Sequence, residues 1–257
     1  MSYALITGAS KGIGKAIAFA LAAKGYDLLL VARNQQLLQK ASDEIKAKHR
    51  VAVHYLSLDL STLDAAPKVY EWTAQNNYTV SILVNNAGYG LSGLFESYPI
   101  EQHLAMLQVN CTTLVQLTYL FLPQLKKQKE SHILNISSSA AYQAVPYLSL
   151  YAASKAFVLS FSRGIRYELK KSGINVTCVC PGSTDTDFAT TAQIGEKAMK
   201  TAKKVNQTPE QVGNAAVKAM FNKKAEVITG AINKVGGFLT WLLPKTILEG
   251  GAARIYE

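Results

Sequence analysis

The sequence predicts an α/β protein with a doubly wound parallel sheet, and three observations support that prediction. Short apolar runs bounded by turn residues alternate with longer stretches of helical periodicity along the 257 residues. Some runs, such as residues 28–31, are apolar throughout, which is typical of strands covered on both faces. The chain is 49% hydrophobic and 17% charged, which supplies a large core and argues against disorder.

The elements follow a β-α-β order from the amino terminus onward. Residues 3–7 form the first apolar run, and residues 12–24 place Ile13, Ile17 and Leu21 on one helical stripe. No linker, repeat or low-complexity segment divides the chain, so residues 1–257 are expected to form a single domain. Further strands are expected near residues 27–32, 51–58, 81–85, 132–137, 175–180 and 226–229.

Charge and cysteine content exclude several function classes. Lys and Arg number 27 and Asp and Glu 17, a net charge of +10, but the cations form scattered pairs without interleaved aromatic residues. This pattern favours solvated helix surfaces over a nucleic-acid site. Cys111, Cys178 and Cys180 have no C-x-x-C spacing, and the four histidines form no H-E-x-x-H motif, so neither a metal site nor a disulfide framework is expected. This cysteine usage predicts a reducing, cytoplasmic location.

No membrane-spanning segment is expected. The amino terminus has neither the basic region nor the long apolar run of a signal peptide. Residues 102–125 and 131–154 lack charges over a bilayer-spanning length, but Gln, Asn, His, Ser and Thr interrupt both stretches. They are interpreted as buried interior.

A glycine-rich turn, TGASKGIG at residues 7–14, follows the first strand and opens a helix. Glycines at the carboxyl end of a parallel strand let the backbone approach a pyrophosphate, which the free amides and dipole of the helix amino terminus attract. The spacing departs from the commoner G-x-G-x-x-G pattern, and an ordinary glycine turn is the alternative. The turn therefore predicts a dinucleotide site only in combination with other motifs.

The end of the second strand bears on the choice of dinucleotide. An acidic residue that binds the adenosine ribose is usual there in NAD sites, but the segment reads VARN at residues 31–34. Arg33 and Lys11 of the glycine turn could together flank a ribose 2′-phosphate. This favours NADPH over NADH, the alternative being that Arg33 caps the strand end.

Two Tyr-x-x-x-Lys pairs occur, and their context separates them. Tyr151 and Lys155 share a helix face and lie downstream of hydroxyl residues 137–139 at a strand end, whereas Tyr167 and Lys171 lie among lysines and are expected at the surface. Lowering a tyrosine pKa from about 10 to about 7 requires about 4 kcal/mol, and an ammonium about 4 Å away supplies that scale at an effective dielectric constant of about 20. Lys155 is therefore in principle a sufficient cause of a lowered pKa at Tyr151, and the positive nicotinamide ring of an oxidised dinucleotide is a second.

Together these motifs resemble the short-chain dehydrogenase/reductase family, in its NADP(H)-preferring type. They occur in the family's order over most of the first 190 residues, which makes the combination specific. The matching residues are TGASKGIG at 7–14, NNAG at 85–88, Asn110, Ser138, Tyr151, Lys155 and PG at 181–182.

The resemblance implies a catalytic set of Asn110, Ser138, Tyr151 and Lys155. In the family the tyrosine protonates a carbonyl oxygen while nicotinamide delivers hydride to carbon, and the serine 13 positions earlier holds the same oxygen. Lys155 would also bind the nicotinamide ribose, and Asn110 would hold a water linked to Lys155, unless it only caps a helix kink.

The resemblance also implies a seven-stranded Rossmann-type sheet, and a homodimer or homotetramer built on helices near residues 106–122 and 152–170. Asp59 and Leu60 match the adenine-edge position, and residues 181–186 match the loop that contacts the nicotinamide carboxamide. The implied NADP(H) site comprises Gly8, Ser10, Lys11, Gly12, Ile13, Gly14, Arg33, Asp59, Leu60, Asn86, Ala87, Gly88, Tyr151, Lys155, Pro181, Gly182, Ser183 and Thr186.

Substrate choice is expected to depend on a polar lid at residues 187–206 and on the carboxyl-terminal segment 231–257. Ser138, Tyr89, Tyr142 and Tyr147 are candidate substrate contacts, and the apolar residues nearby favour an apolar ketone or aldehyde that is lipid-, steroid- or ketoacyl-like. Residues 235–244 are uncharged and have three interpretations: core packing, a substrate cover, or peripheral membrane contact through Phe238 to Leu243.

Two alternatives to this carbonyl reductase remain. Acyl-carrier-protein ketoreductases of the family usually carry a V-D-G-G segment after the last strand, and this chain lacks it, which disfavours that subclass. Non-catalytic family members that serve as NADPH sensors or scaffolds commonly lose the tyrosine or the lysine. Both are present here, which favours an enzyme.

Overall fold

Seven parallel strands form one sheet in the computed structural model, which describes residues 2–195, 198–199 and 206–256. This confirms the predicted doubly wound parallel sheet, and each predicted strand is found within two residues of its expected bounds. The strands are β1 (Tyr3–Thr7), β2 (Asp27–Ala32), β3 (Val53–Ser57), β4 (Val80–Asn85), β5 (Ser131–Ile136), β6 (Ile174–Cys180) and β7 (Glu226–Ile228).

The strand order is β3-β2-β1-β4-β5-β6-β7, so the direction of winding reverses between β1 and β4. A crevice forms at such a reversal, outside the carboxyl ends of the strands, because the connections leave to opposite faces of the sheet. The glycine turn follows β1 and the NNAG motif begins at the end of β4, so both predicted motifs lie at this crevice.

Helices cover both faces of the sheet. The predicted first helix ends at Ala22 rather than at residue 24, because a turn leads into Gly25, whose φ is 83°. The helices are α1 (Gly12–Ala22), α2 (Gln35–Lys48), α3 (Ala65–Gln75), α4 (Ile100–Leu107), α5 (Thr113–Lys126), α6 (Ser149–Glu168), α7 (Phe188–Thr191), α8 (Pro209–Phe221), α9 (Ala231–Leu242) and α10 (Lys245–Tyr256).

Alternation along the strands builds the two halves of the core. In β2, Leu28 and Leu30 point into the cluster that contains side chains of α1, α2 and α8, whereas Leu29 and Val31 point into the cluster on the opposite face with α3 and α5. All four side chains are fully buried. The uniformly apolar sequence of β2 thus follows from burial on both faces.

A buried chain of amides fixes the middle of the sheet to two helices. The Asn85 amide of β4 donates to Asn135 Oδ1 of β5 at 2.9 Å and to Thr118 Oγ1 of α5 at 3.2 Å. Asn135 in turn donates to Ser162 Oγ of α6 at 2.9 Å. Because buried amides must find partners, this network specifies how α5 and α6 sit on the sheet.

The helical stretch Ile100–Lys126 has the length and apolarity of a membrane span. However, 44% of its most apolar 18-residue segment is buried within the fold. Met106, Leu117 and Phe121 are fully buried in the two clusters they join. These interior contacts account for part of its apolar composition. A π-helical turn, Gln108–Thr112, separates α4 from α5.

Residues 235–244 do not pack in the core. In α9, Phe238 is 59% exposed, Trp241 is 81% exposed and Leu242 is 60% exposed. The core-packing interpretation of this segment is therefore wrong, because the side of α9 that faces the protein carries its small and polar residues instead.

Replacing Asn135 with Ala is expected to lower the free energy of unfolding by about 2 kcal/mol, because it removes two buried hydrogen bonds and leaves Asn85 and Ser162 short of a partner. Urea denaturation measures the change. The matched control is Gln36→Ala on the exposed face of α2, and equal stability of the two variants would contradict the role given to the network.

Candidate active site

The glycine turn packs directly against the end of β4. Gly8 has a φ of 64°, a conformation that favours glycine, and its amide donates to Val31 O at 2.8 Å. A Cβ atom on Gly14 would collide with the Gly8 carbonyl and the Asn86 amide. The first turn of α1 therefore lies close to β4 with its amides at the crevice, which is a cradle that fits a pyrophosphate. Ser10 and Ile13 are partly buried in this turn.

Thr7 and Asn86 hold this turn in place. The Asn86 side-chain amide donates to Thr7 O at 2.9 Å and to Gly8 O at 3.2 Å. Thr7 Oγ1 accepts from the backbone amides of Asn86 and Ala87 at 3.0 and 3.1 Å. Thr7 was not among the predicted site residues, although its position before the first glycine was the available signal.

Arg33, Asp59 and Tyr89 lie together at the other end of the crevice. Burial raises the pKa of Asp59, but hydrogen bonds from Ser61 and the Arg33 charge outweigh it and hold the pKa below its ordinary value. Burial raises the pKa of Tyr89, which also senses the charges of Arg33 and Asp59. Tyr89 also packs against the cluster that contains Tyr151, so its contact with substrate stays a prediction. Leu60 is buried in the sheet cluster, and its carbonyl accepts from Thr113 Oγ1 at 2.9 Å.

Lys11 is paired within the protein. Its ammonium lies 2.7 Å from the Asp187 carboxylate, and both side chains are more than half exposed. A Cβ atom on Gly12 would lie 3.1 Å from Thr186 Cγ2, so the segment after β6 closes against the glycine turn. An exposed ion pair of this kind contributes at most about 1 kcal/mol, so Lys11 can exchange Asp187 for another anionic partner.

The segment 181–186 reaches the crevice from the end of β6. Pro181 O accepts a hydrogen bond from Ser139 N at 2.7 Å, which ties the segment to the end of β5. Gly182 lies against the Asn233 side chain, and Ser183 Oγ donates to Asn206. The segment is thereby held beside the hydroxyls that follow β5.

Tyr151 and Lys155 occupy the first turns of α6, and both are buried. The Tyr151 side chain is 9% exposed and Lys155 is 5% exposed. The Lys155 ammonium lies 5.7 Å from the centre of the Tyr151 ring and donates to Ile136 O at 3.1 Å. Tyr167, the tyrosine of the second pair, is 82% exposed, as predicted.

The pKa of Tyr151 differs from the expectation. Burial raises it to about 12, with a further increase from Tyr256, and a hydrogen bond with Ser138 opposes this rise. The lowering expected from Lys155 is therefore not found, because desolvation of the buried phenolate dominates the pKa of Tyr151. Tyr151 carries its proton at neutral pH.

Burial also lowers the pKa of Lys155, to about 8, against the opposing effect of Cys111, Cys178 and Cys180. An ammonium in an apolar environment loses solvation, which favours its neutral form. Lys155 therefore remains mostly charged at pH 7 and is close to titrating.

Asn110 lies on the π-helical turn and clamps the chain after β4. Its amide donates to Tyr89 O at 2.9 Å and to Ser154 Oγ at 3.0 Å, and its oxygen accepts from Tyr89 N at 3.1 Å. A Cβ atom on Gly88 would lie 2.9 Å from Asn110 Oδ1 and 3.0 Å from Lys155 Nζ. The absence of a side chain at Gly88 thus leaves room where these two polar groups converge.

The three serines after β5 have different surroundings, as expected from strand alternation. Ser137 Oγ donates to Lys155 O at 2.7 Å and supports α6 from below. Ser138 Oγ accepts from Ala140 N at 3.1 Å and also interacts with Tyr151. The structure therefore brings Ser138, Tyr151 and Lys155 together at the carboxyl edge of the sheet.

A sequence profile of the family described as short chain dehydrogenase matches residues 2–197. The chain belongs to the short-chain dehydrogenase family. Its relatives include the ketoacyl reductase HetN of a Nostoc species, which is 32% identical over 239 residues, covering 93% of this chain and 82% of that protein.

A second relative is the very-long-chain 3-oxoacyl-CoA reductase-A of Danio rerio, 36% identical over 183 residues that cover 70% of this chain. The chain spans 57% of that protein's length. Among solved structures, a short-chain dehydrogenase from Sphingobium yanoikuyae in complex with NADPH has a TM-score of 0.82 and 29% identity, covering 94% of this chain and 95% of that chain.

The surroundings of Tyr151 in this short-chain dehydrogenase are apolar. The ring of Phe188 in α7 lies tilted against that of Tyr151, with ring centres 5.1 Å apart, and Tyr256 of α10 approaches Tyr151 from the carboxyl terminus. The sequence did not single out either aromatic residue, because no motif connects such distant segments to the site. The remaining members of this cluster are Met106, Val145, Leu148, Ala152 and Ala252, with Tyr89, Leu91, Ala140 and Leu150 packed against it.

Tyr142 and Tyr147, also predicted to contact substrate, make contacts elsewhere in the fold. The Tyr142 hydroxyl donates to Glu226 Oε1 at 2.5 Å and its ring packs with Leu114, Val158, Cys178 and Cys180, so it belongs to a separate buried cluster rather than to the Tyr151 cluster. Tyr147 adopts a φ of 64°, and its carbonyl accepts from Gly93 N at 2.8 Å. It therefore shapes the loop after β4.

The described part of the predicted lid packs on that same loop. Ala192 is buried, and its carbonyl accepts from Ser92 N at 2.9 Å. Lid residues 196–197 and 200–205 lie outside the described residues.

A second concave region is remote from the site. An open groove of about 1090 Å³ lies at the amino ends of the strands and is lined by Arg163, Arg166 and Lys170 among others. Arg163 pairs with Glu226 at 2.6 Å, and Arg166 donates to Val176 O and Lys223 O. Within residues 2–195, 198–199 and 206–256, no three His, Cys, Asp or Glu side chains cluster as a metal site would require.

The Tyr151 phenol is expected to stay protonated from about pH 6 to about pH 10 in the ligand-free protein, because its pKa is raised to about 12 by burial. Nuclear magnetic resonance of protein labelled with carbon-13 at tyrosine Cζ measures this titration. Comparison with Tyr151→Phe assigns the resonance. A midpoint between about pH 6 and about pH 9 would contradict the dominance of desolvation.

Proposed function

We propose that the chain is an NADPH-dependent carbonyl reductase that acts on apolar ketones or aldehydes, with Tyr151 as proton donor. The observation that carries the proposal is a buried, protonated Tyr151 beside Lys155 and Ser138, at the crevice edge that also holds the glycine turn. A proton donor, a fixed cation and a pyrophosphate cradle along one edge are the parts that carbonyl reduction requires.

The residues present fit a dinucleotide. The close packing of Gly8 and Gly14 against Asn86 forms the backbone cradle, and Arg33 is exposed at the end of β2. Arg33, with Lys11 released from Asp187, would hold a 2′-phosphate, which favours NADPH. When bound, the nicotinamide supplies a hydride to the carbonyl carbon. Pro181, Gly182, Ser183 and Thr186 would border that ring.

Ser138, Tyr151 and Lys155 would have different roles in proton transfer. Ser138 would hold the carbonyl oxygen, and Tyr151 would donate a proton to the oxygen as its negative charge develops. Because the pKa of Tyr151 is about 12, the residue is in the acid form that reduction needs at neutral pH. Lys155, still mostly charged at pH 7, would stabilise the resulting phenolate and bind the ribose.

Asn110 would complete the path by which Tyr151 regains its proton. Asn110 Oδ1 and Lys155 Nζ converge over Gly88, which supports a water between them. Ser154 Oγ, which accepts from Asn110, donates to Tyr151 O at 2.7 Å and keeps the π-helical turn aligned with α6.

The apolar cluster around Tyr151 supports the substrate class. Met106, Val145, Leu148 and Phe188 offer a hydrophobic surface, and a charged substrate group would lose solvation there. The names of the two curated relatives, a ketoacyl reductase and a very-long-chain 3-oxoacyl-CoA reductase, agree with a carbonyl on a long apolar chain.

We also propose a cytoplasmic homo-oligomer. Tyr119 of α5 is 74% exposed and Phe157 of α6 is 44% exposed, and the two helices are those through which the family resemblance implies association. Burial of these aromatic side chains would stabilise such an interface.

The direct test follows NADPH absorbance with ketones and aldehydes graded from short and polar to long and apolar. Increasing kcat/KM with chain length supports the proposal. Equal turnover of small polar carbonyls would contradict the substrate class, and tight NADPH binding without turnover of any compound would favour a sensor or scaffold.

Tyr151→Phe is expected to reduce kcat about 100-fold to 10,000-fold without changing NADPH affinity greatly, because it removes the proton donor and keeps the ring. Steady-state kinetics and calorimetric NADPH titration measure the two effects. Tyr167→Phe, in the exposed second Tyr-x-x-x-Lys pair, is the matched control. Comparable activity of the two variants would refute the role of Tyr151.

The double variant Lys11→Ala/Arg33→Ala is expected to raise the KM for NADPH about tenfold or more and to leave the KM for NADH nearly unchanged, because only NADPH carries the 2′-phosphate. Arg50→Ala, also exposed, is the control. An equal loss for both dinucleotides would show that these cations do not discriminate between them.

A further inference from the structure

Helix α9 exposes its large apolar side chains to solvent and turns small and polar residues toward the protein. Its less exposed residues are Asn233, Gly237 and Thr240, spaced so that they share one face. Its exposed residues are mainly large and apolar: Ile232, Val235, Phe238, Leu239, Trp241 and Leu242, between 37% and 81% exposed. A surface helix of a globular protein ordinarily shows the reverse arrangement.

Specific contacts hold the polar face against the protein. Asn233 Nδ2 donates to Thr229 O at 2.8 Å, and its side chain lies against Gly182. A Cβ atom on Gly237 would lie 2.7 Å from Ile228 Cδ1, so glycine permits close packing on β7. The orientation of α9 therefore follows from its contacts with β7, and its apolar face must point outward.

The outward face has the composition of a membrane-surface helix. The rings of Phe238 and Trp241 lie 6.3 Å apart on this face. Lys234 lies within α9 and Lys245 begins α10, and residues 231–248 contain no Asp or Glu. Tryptophan and lysine beside an apolar stripe are typical of helices that lie at the lipid headgroup boundary.

We propose that α9 docks on a bilayer surface containing anionic lipids. Its apolar face enters the headgroup boundary, and Lys234 and Lys245 contact lipid phosphates. The chain's net charge of +10 adds a long-range attraction to such a surface.

Charge complementarity favours this partner over a second copy of the chain. An isologous interface would place the same patch on itself and bring its lysines together. Glu249 is the one acidic residue among the described residues of α9 and α10, and it is only partly exposed. An anionic lipid surface supplies the opposite charge and does not bring the lysines of two copies together.

Because α9 adjoins α10, docking of α9 on a bilayer would place the Tyr151 site near the membrane. This step rests on the proposed function. Pro244 separates the two helices, and α10 places Ala252 and Tyr256 in the cluster with Tyr151. A helix seated in the headgroup region would therefore bring the apolar cluster around Tyr151 close to membrane-dissolved substrates.

The test is co-sedimentation of the full chain with two kinds of vesicle, pure phosphatidylcholine and a mixture with about 30% phosphatidylglycerol. Wild type is expected to bind the mixed vesicles more tightly. Phe238→Ser/Trp241→Ser should weaken this binding by at least about tenfold, because two exposed aromatic anchors are lost. Lys234→Glu/Lys245→Glu should abolish the preference for the anionic vesicles.

The control is Leu63→Ser/Tyr167→Ser, which removes two side chains that are 79% and 82% exposed elsewhere on the surface. Calorimetric NADPH titration of every variant verifies that it is folded. It also measures NADPH affinity independently of vesicle binding. Absence of wild-type binding to either vesicle, or an equal loss in the control, would overturn the proposal. A dimer that Phe238→Ser/Trp241→Ser dissociates, with no vesicle binding, would assign the face to a second copy.

Discussion

Burial of the Lys155 ammonium beside Tyr151 is the constraint on which the rest of the site depends. A buried cation costs several kcal/mol unless hydrogen bonds compensate for lost solvent, and here the Ile136 carbonyl is a fixed partner. The helix that carries both residues must therefore be held accurately. Ser137 supports it at the Lys155 carbonyl, and Ser162 fastens its second half to the sheet through Asn135. Through these polar contacts, the sheet fixes the position of the helix that carries Tyr151 and Lys155.

The site has two ends with different physical character. The glycine turn, Thr7 and Asn86 form a rigid backbone assembly in which an added Cβ atom at Gly14 has no room. The end at which we propose that substrate binds is built from later segments that reach Tyr151 through side chains, namely Phe188 of α7 and Tyr256 of α10. Binding of a common dinucleotide requires the first end to be fixed, whereas substrate choice can change with the second.

Most of the fold and the centre of the site could be predicted from the sequence, because uninterrupted apolar strands and motif spacing are local signals. The direction of a side chain outside a motif is not local. Tyr142 reaches Glu226 because of packing between distant segments. The sign of the Tyr151 pKa shift depends on burial by those segments, and the exposure of Trp241 depends on which face of α9 fits β7.

Transfer of deuterium from NADPH labelled at nicotinamide C4 to a long-chain ketone tests the central claim most directly. The account predicts an alcohol with one deuterium on the carbinol carbon, from one of the two C4 positions only, and loss of this product in Tyr151→Phe. Mass spectrometry of the alcohol measures both. An alcohol formed without deuterium from either labelled form, or equal labelling by the Tyr151→Phe variant, would contradict it.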